Sequence, residues 1–328
     1  IKNGDSRFLG KGNLGKRPLK TYYDIFRKQG IAYTYDEGIL NTFVKGNLKA
    51  DEFRVEGNIS SQFISGLLFA LPLLDGDSKI VITTNLESRG YIDLTLFMLD
   101  KFGIKIENLN YKEFRIKGNQ SYKPFNYRVE GDYSQAAFFL AANSIGNKVE
   151  IDDVLANSAQ GDKEALDILA RMGMSIQWNK SKNGIIPAEN NDLKGTIIDG
   201  SQCPDIIPVL SVAAALAKGT TKIIKAGRLR IKECDRLKAV ASELTKLGAK
   251  IEEKEDGLII EGVESLKGGV EVWSWKDHRI AMTLAIAATR CKEPIVLKDY
   301  ECISKSYPSF FNDYRRLGGI ASEWNVGE

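Results

Sequence analysis

A helix-like apolar pattern that stops at a glycine recurs five times along the chain, as "YYDIFRKQG", "LFMLDKFG", "LDILARMG", "ASELTKLG" and "NDYRRLG". The closing residues Gly30, Gly103, Gly173, Gly248 and Gly318 fall 70–75 residues apart. A glycine in that place suits the left-handed turn that ends a helix, and near-constant spacing marks an internal repeat. Several of these closures are followed by alternating segments with the period of a strand, "IKIENL", "MSIQW" and "AKIEEK". A second helix pattern, rich in small and apolar residues, lies upstream in each full unit: "SSQFISGLLFALPL", "YSQAAFFLAANSI", "DIIPVLSVAAALA" and "DHRIAMTLAIAAT". Each leads through a turn into a short strand, "KIVITT", "KVEIDD", "TKIIKA" or "PIVLKD". The unit therefore reads strand, buried helix, strand, amphipathic helix, strand pair: an α/β chain of repeated βαβαββ units. Four buried helices stand against five Gly-terminated ones, so the unit around Gly30 lacks its front half and further chain is expected before Ile1.

At 328 residues, 43% of them hydrophobic and 27% charged, the chain can bury a full core and form two domains. Its richest apolar stretch, Ser65 to Leu74, ends in Asp75-Gly76-Asp77 and is far shorter than the roughly 18 residues a membrane span requires. A formal net charge of +3 does not point to a nucleic-acid partner. Cys203, Cys234, Cys291 and Cys302 have no CxxC spacing, which argues against a zinc site or a disulfide framework and fits a reducing compartment. The single histidine, His278, disfavours a multi-histidine metal centre, and no metal ligand set is expected. The polar segment after Ile1 reads as neither a signal nor a transit peptide.

Chemistry is best sought at the starts of the buried helices, where unpaired N–H groups and the positive dipole end favour anions. Asn58-Ile59-Ser60-Ser61-Gln62 precedes the first, and offers either a phosphate cradle or a plain cap by Ser60 or Ser61. Asp205 opens the third, as a cap or as a general base. Lys276-Asp277-His278-Arg279 opens the fourth, and an arginine beside a buried helix start commonly has an anionic partner, although a surface salt-bridge cap explains it equally. In "RLRIKECDRLKAV", Lys232 and Arg236 are four apart and are expected to share a helical face beside Glu233; a solvated charged face is the simpler account of such a run. Lys305 in "SKSYP" and Arg17 in "GKRP" precede the last helix and the helix of the broken first unit.

Taken in order, "GKRP", "NISSQFISGLL", "SRGYIDLTL", "GDYSQAAFFLAA", "PDIIPVLSVAAALAKGTT", "RIKECDR", "DHRIAMTLAIAA" and "SKSYPSFF" resemble the 5-enolpyruvylshikimate-3-phosphate synthase family, also called 3-phosphoshikimate 1-carboxyvinyltransferases, over essentially the whole chain. The resemblance implies an inside-out α/β barrel type of fold, with two domains of three βαβαββ units each and an active site in the cleft between them. Here it implies a partial N-terminal domain over residues 1–130 and a C-terminal domain over 131–328. The implied reaction transfers the enolpyruvyl group of phosphoenolpyruvate to the 5-hydroxyl of shikimate 3-phosphate and releases phosphate, in the shikimate pathway, without metal or organic cofactor. By resemblance Ser60, Ser61 and Gln62 hold shikimate 3-phosphate, helped by Ser88, Tyr91 and Lys232. Arg17, Arg236, Arg279 and Lys305 clamp phosphoenolpyruvate. Asp205 takes the proton of the attacking hydroxyl, and Glu233 manages the proton at the methylene carbon. A cytoplasmic enzyme, monomeric when complete, with small-molecule partners and neither nucleic acid nor membrane, is implied.

Two departures bear on this. A Lys-Ser pair, an arginine and a Gly-rich turn that precede "GKRP" in the family have no counterpart here, so these residues alone are expected to bind shikimate 3-phosphate weakly and to turn over little. Arg228 stands where some members carry another polar residue, and receives no substrate role. One rival is UDP-N-acetylglucosamine enolpyruvyl transferase, which carries a reactive cysteine where this chain has Gly12, and whose motifs fit "SSQ" and "KECDR" less well. Another is a non-catalytic fragment that complements a separate N-terminal piece. RNA 3′-phosphate cyclase, a remote fold relative, is disfavoured by the lack of a basic groove signal and of a matching catalytic histidine.

Overall fold

The computed structural model describes residues 5–10, 15, 17, 19–36, 41–187 and 192–323. Gly12, Lys16 and Pro18 lie outside the described residues. The chain divides into two compact units, one of Ile1–Val129 with Ala159–Gly161, the other of Glu130–Ser158 with Asp162–Glu328.

In the first unit, β1 (Asp5–Leu9), α1 (Lys20–Lys28), β2 (Ala32–Tyr35) and β3 (Asn41–Lys45) form a three-stranded antiparallel sheet of order β1-β3-β2. Then follow β4 (Glu52–Val55), α2 (Ser61–Ala70), β5 (Ser78–Ile82), α3 (Arg89–Lys101), β6 (Ile106–Leu109) and β7 (Glu113–Ile116). Their sheet has the order β4-β5-β7-β6, with β4 parallel to β5 and the other pairs antiparallel. Helices α2 and α3 cover it, burying Phe63, Ile64, Leu67, Leu68, Ile92 and Leu99 over Phe53, Val55, Ile80, Phe114 and Ile116. Helix α2, read from its sequence as a buried helix, buries Ser61, Phe63, Ile64, Leu67 and Leu68 but leaves Gln62 and Phe69 exposed.

The second unit begins with α4 (Tyr133–Ser144), β8 (Ile151–Asp152), α5 (Glu164–Met172), β9 (Gln177–Trp178) and β10 (Gly184–Ile186), its sheet ordered β8-β10-β9. Next come β11 (Ile197–Asp199), α6 (Ile207–Ala215), β12 (Thr220–Ile224), α7 (Arg236–Lys246), β13 (Lys250–Lys254) and β14 (Gly257–Glu261), ordered β11-β12-β14-β13. Last are β15 (Glu271–Trp273), α8 (His278–Ala288), β16 (Val296–Lys298) and α9 (Phe310–Arg316), where β15 and β16 pair in parallel.

Among the described residues there are five sheets, all cut from one pattern. Four contain a strand-helix-strand-strand core in the order first-third-second, two of these add a leading parallel strand, and the fifth is that parallel pair alone. Among the described residues each sheet stays open. The five helix-closing glycines all have positive φ, between 67° and 107°, which a side chain at Cβ would disfavour. Before α4 no leading strand is assigned: the segment around Pro124, which has no N–H to donate, pairs with no strand.

Helices α4, α6 and α8 pack on one another at the centre of the second unit, and every residue of α6 and nearly every residue of α4 and α8 is buried. Apolar residues on all sides require this placement, and the alanines at 136, 137, 141, 213, 214, 281 and 285 let the helices approach closely. Burying each larger side chain, such as Leu210, Ile280 or Leu284, contributes about 1.5–3 kcal/mol. Among the described residues no helix is long and apolar enough to cross a membrane.

Candidate active site

In the first unit, the turns that lead into α2 and α3 are stitched together. Thr84 Oγ1 accepts from the Gly57 N–H at 2.9 Å and donates to Asn58 Oδ1 at 2.9 Å, while the Glu87 N–H donates to the Gly57 carbonyl at 3.1 Å. Gly57 is required by this approach, since a Cβ there would lie 2.9 Å from Leu86 Cα. Because β4 and β5 run parallel, the two helix starts emerge at the same edge of their sheet. Ser60 caps α2, its Oγ accepting from the Gln62 N–H at 3.3 Å. Ser61 is buried in the first turn and the Gln62 side chain is exposed. Ser88, fully buried and left-handed at φ 55°, precedes α3, and Tyr91 lies in its first turn. Ser60, Ser61, Gln62, Ser88 and Tyr91 thus belong to two helix starts tied to each other, an arrangement whose positive dipole ends suit an anion. Arg17 lies just ahead of α1, which Tyr22 joins to α2 through an edge contact with Phe63 at 4.9 Å.

In the second unit, the starts of α4, α6, α7 and α8 deliver one polar cluster into an otherwise apolar interior. Arg236, 1% exposed at its side chain, is held by three carboxylates: Nε donates to Asp277 Oδ2 at 2.8 Å, Nη1 to Asp205 Oδ1 at 2.9 Å and Nη2 to Glu233 Oε2 at 2.8 Å. Arg279 donates through Nη2 to Asp205 Oδ2 at 3.2 Å and to Ser134 Oγ at 3.3 Å, and through Nη1 to the Asp205 carbonyl at 3.2 Å. Lys232 Nζ lies 3.3 Å from Asp205 Oδ1, and Lys305, from the 3-10 turn Tyr300–Lys305, pairs with Glu233 Oε1. Asp205, Lys232, Glu233, Arg236, Arg279 and Lys305, scattered over a hundred residues of sequence, therefore meet in one place.

Burial alone would raise the pKa of Asp205, but the charges of Arg279, Lys232 and Arg236 outweigh it and hold the carboxyl well below the usual range, so it is ionised. Burial lowers the pKa of Lys232, an effect that Asp205 opposes. Four cations face three carboxylates here. Among the described residues no group of three or more His, Cys, Asp or Glu side chains is placed to hold a metal ion.

Two sequence expectations change. Lys232 and Arg236 do not share a helical face: α7 starts only at Arg236, capped by Asp235 through a bond from the Lys238 N–H at 3.1 Å. Lys232 follows the 3-10 turn Gly227–Ile231 and reaches Asp205 from outside the helix. Nor is Asp205 a cap, because α6 begins at Ile207 and its carboxylate goes to the basic groups instead. Asp277 is the residue that sequence reasoning left without a role. It caps α8, accepting from the Arg279 N–H at 2.8 Å, while gripping Arg236. Its position directly before an alanine-rich helix was the available signal.

The family model for EPSP synthase (3-phosphoshikimate 1-carboxyvinyltransferase) matches residues 2–314. The chain belongs to the EPSP synthase family. Among relatives named 3-phosphoshikimate 1-carboxyvinyltransferase, that of Clostridium beijerinckii is 67% identical over 99% of this chain and 74% of its own length. That of Clostridioides difficile is 64% identical over 99% of this chain and 74% of its own length. The chain thus spans about three quarters of the length of these EPSP synthase relatives. Of solved structures, EPSP synthase from Acinetobacter baumannii superposes with a TM-score of 0.77 at 28% identity, covering 96% of this chain and 74% of that one. The enolpyruvyl transferase NikO from Streptomyces tendae, at 17% identity, shares the fold with a TM-score of 0.77 over 97% of this chain and 74% of that one.

Proposed function

We propose that this protein transfers the enolpyruvyl group of phosphoenolpyruvate to the 5-hydroxyl of shikimate 3-phosphate and releases phosphate. The observation that carries the reading is the convergence of Asp205, Glu233, Lys232, Arg236, Arg279 and Lys305. Two acidic groups held among four cations are what a reaction between two multiply charged anions needs.

In this reading the paired helix starts carrying Ser60, Ser61, Gln62, Ser88 and Tyr91 bind shikimate 3-phosphate, with Lys232 adding a positive charge. Arg17, Arg236, Arg279 and Lys305 take the carboxylate and phosphate of phosphoenolpyruvate. Four of the five N–H donors of Arg236 are already engaged by carboxylates, so its direct contact is limited to one further N–H. Asp205 is a weak base while Lys232, Arg236 and Arg279 surround it. Anionic substrates that draw those cations toward themselves raise its basicity at the moment it must accept the hydroxyl proton. Glu233, when protonated, delivers a proton to the methylene carbon as the 5-oxygen bonds to C2. It takes that proton back as the C2–O bond to phosphate breaks and the phosphate leaves with the proton that Asp205 took from the hydroxyl, so the tetrahedral ketal collapses to product. The two compact units are read as the two domains, and the enzyme as a cytoplasmic monomer, a state that sedimentation would check.

Phosphate release from phosphoenolpyruvate in the presence of shikimate 3-phosphate tests the reading. Asp205→Asn is expected to lower kcat by about 10²- to 10⁴-fold. Turnover with a UDP-sugar in place of shikimate 3-phosphate, or an Asp205→Asn enzyme as fast as the parent, would overturn it.

A further inference from the structure

Glu243 is a second buried charge on α7, seven residues and two turns beyond Arg236 and therefore on the same face. It is 1% exposed and belongs to neither the anion contacts nor the proton transfers described above. Its Oε2 accepts from the Trp273 backbone N–H at 3.0 Å and from Lys246 Nζ at 2.8 Å. Its Oε1 accepts from Trp275 Nε1 at 2.9 Å and from Ser242 Oγ at 3.2 Å. Two of these four donors, the last residue of β15 and Trp275, belong to the segment that leads from β15 into α8 and presents Asp277 and Arg279.

That loop has an unusual backbone. Trp275 and Lys276 both have φ of 55°, a conformation disfavoured for residues with a Cβ, and two in succession persist only where the surroundings fix them. The fixing contacts are on both sides. Ser274 Oγ donates to the Asp299 carbonyl at 2.8 Å and accepts from the Lys276 N–H at 3.1 Å, and Trp273 Nε1 donates to Asp299 Oδ2 at 2.7 Å. The Trp273 and Trp275 rings stack at 5.1 Å. Glu243 supplies the contacts from the α7 side. The left-handed pair turns the chain so that Asp277 caps α8 and meets Arg236, with Arg279 beside Asp205. Helix α7 therefore grips one loop at two points, Glu243 at the tryptophans and Arg236 at Asp277.

We propose that Glu243 is a positioning residue that, through the Trp273–Trp275 loop, sets the place of Arg279 and Asp277 and so the binding of phosphoenolpyruvate. The assignment of that substrate rests on the function proposed above. A buried acid serving stability alone would lower the melting temperature when removed and leave substrate discrimination and the loop untouched.

The test compares Glu243→Ala, Glu243→Gln and Trp275→Phe in the full chain. The stacked indoles give a coupled near-ultraviolet circular dichroism signal, which reports the loop without requiring turnover. Glu243→Ala is expected to lose that signal and to raise KM for phosphoenolpyruvate about 10- to 100-fold, the scale of a displacement near 1 Å, with KM for shikimate 3-phosphate changed less than about twofold. Glu243→Gln, which still accepts one loop N–H, should recover most of both effects. Trp275→Phe keeps the charge but loses the indole N–H, and should raise KM for phosphoenolpyruvate even if the alanine variant fails to fold. A folded Glu243→Ala or Trp275→Phe protein with parental KM for phosphoenolpyruvate overturns the proposal. Should the parent protein neither bind nor turn over these substrates, the function is wrong, and the dichroism of Glu243→Ala still decides whether the residue holds the loop.

Discussion

Arg236 and Asp277 are joined by two hydrogen bonds, Nε to Oδ2 at 2.8 Å and Nη2 to Oδ1 at 3.3 Å, and neither side chain is more than 1% exposed. The pair ties the start of α7 to the start of α8. Removing one partner strands the other charge in the interior, which typically costs about 3–5 kcal/mol. Arg236→Ala should therefore destabilise by that amount in urea unfolding. Arg236→Leu combined with Asp277→Leu should be less harmful than the sum of the single changes, since no charge is then left unpaired. Additive losses would show that the pair is not a unit.

Acid should weaken the fold through His278, the first residue of α8. Burial pushes its imidazole down to about 4 from 6.5, with Asp277 offsetting this only in part. The unfolded chain takes up a proton near pH 6.5, whereas the folded protein resists until about pH 4. The contribution is thus fully present above pH 6.5 and is lost as pH falls toward 4, by at most about 3 kcal/mol. Melting temperature followed from pH 7 to pH 4 should drop, and less steeply for His278→Gln. Equal slopes for the two proteins would assign the acid sensitivity elsewhere.

Ser60 separates a structural cap from a phosphate contact. Aspartate caps a helix as well as serine does, but its charge repels a phosphate. Ser60→Asp is expected to leave the melting temperature within about a degree of the parent while calorimetric titration with shikimate 3-phosphate shows at least a tenfold loss. Ser60→Ala should instead cost about 1 kcal/mol of stability. Undiminished binding by Ser60→Asp would restrict Ser60 to the cap.

Much of the architecture was legible because it repeats. The glycines at 30, 103, 173, 248 and 318 mark helix ends in sequence and have positive φ in the structure, since a left-handed closure requires a residue without Cβ. The all-apolar patterns of α4, α6 and α8 likewise read directly as interior helices. The pattern of α2 was as apolar, yet one face stays open, because periodicity reports what a helix can bury and not what is there to cover it. In the site, spacing alone names the residues around Asp205 singly, and only the family resemblance joins them. The path of the chain from Ile231 to Asp235 hangs on backbone angles that the spacing of Lys232 and Arg236 does not encode. Glu243 gave no signal, because one acid on an amphipathic helix looks like any solvated charge until the tryptophans close over it.

The two four-stranded sheets draw all their strands from residues 52–116 and 197–261, uninterrupted stretches of equal length. No strand has to wait for a distant partner. During synthesis, the first such sheet has everything it needs once residue 116 has left the ribosome, before the chain of the second exists. Its hydrophobic face can then be covered by its own α2 and α3 while translation continues. The repeat thereby limits how long sticky, half-made sheet is exposed to other nascent chains.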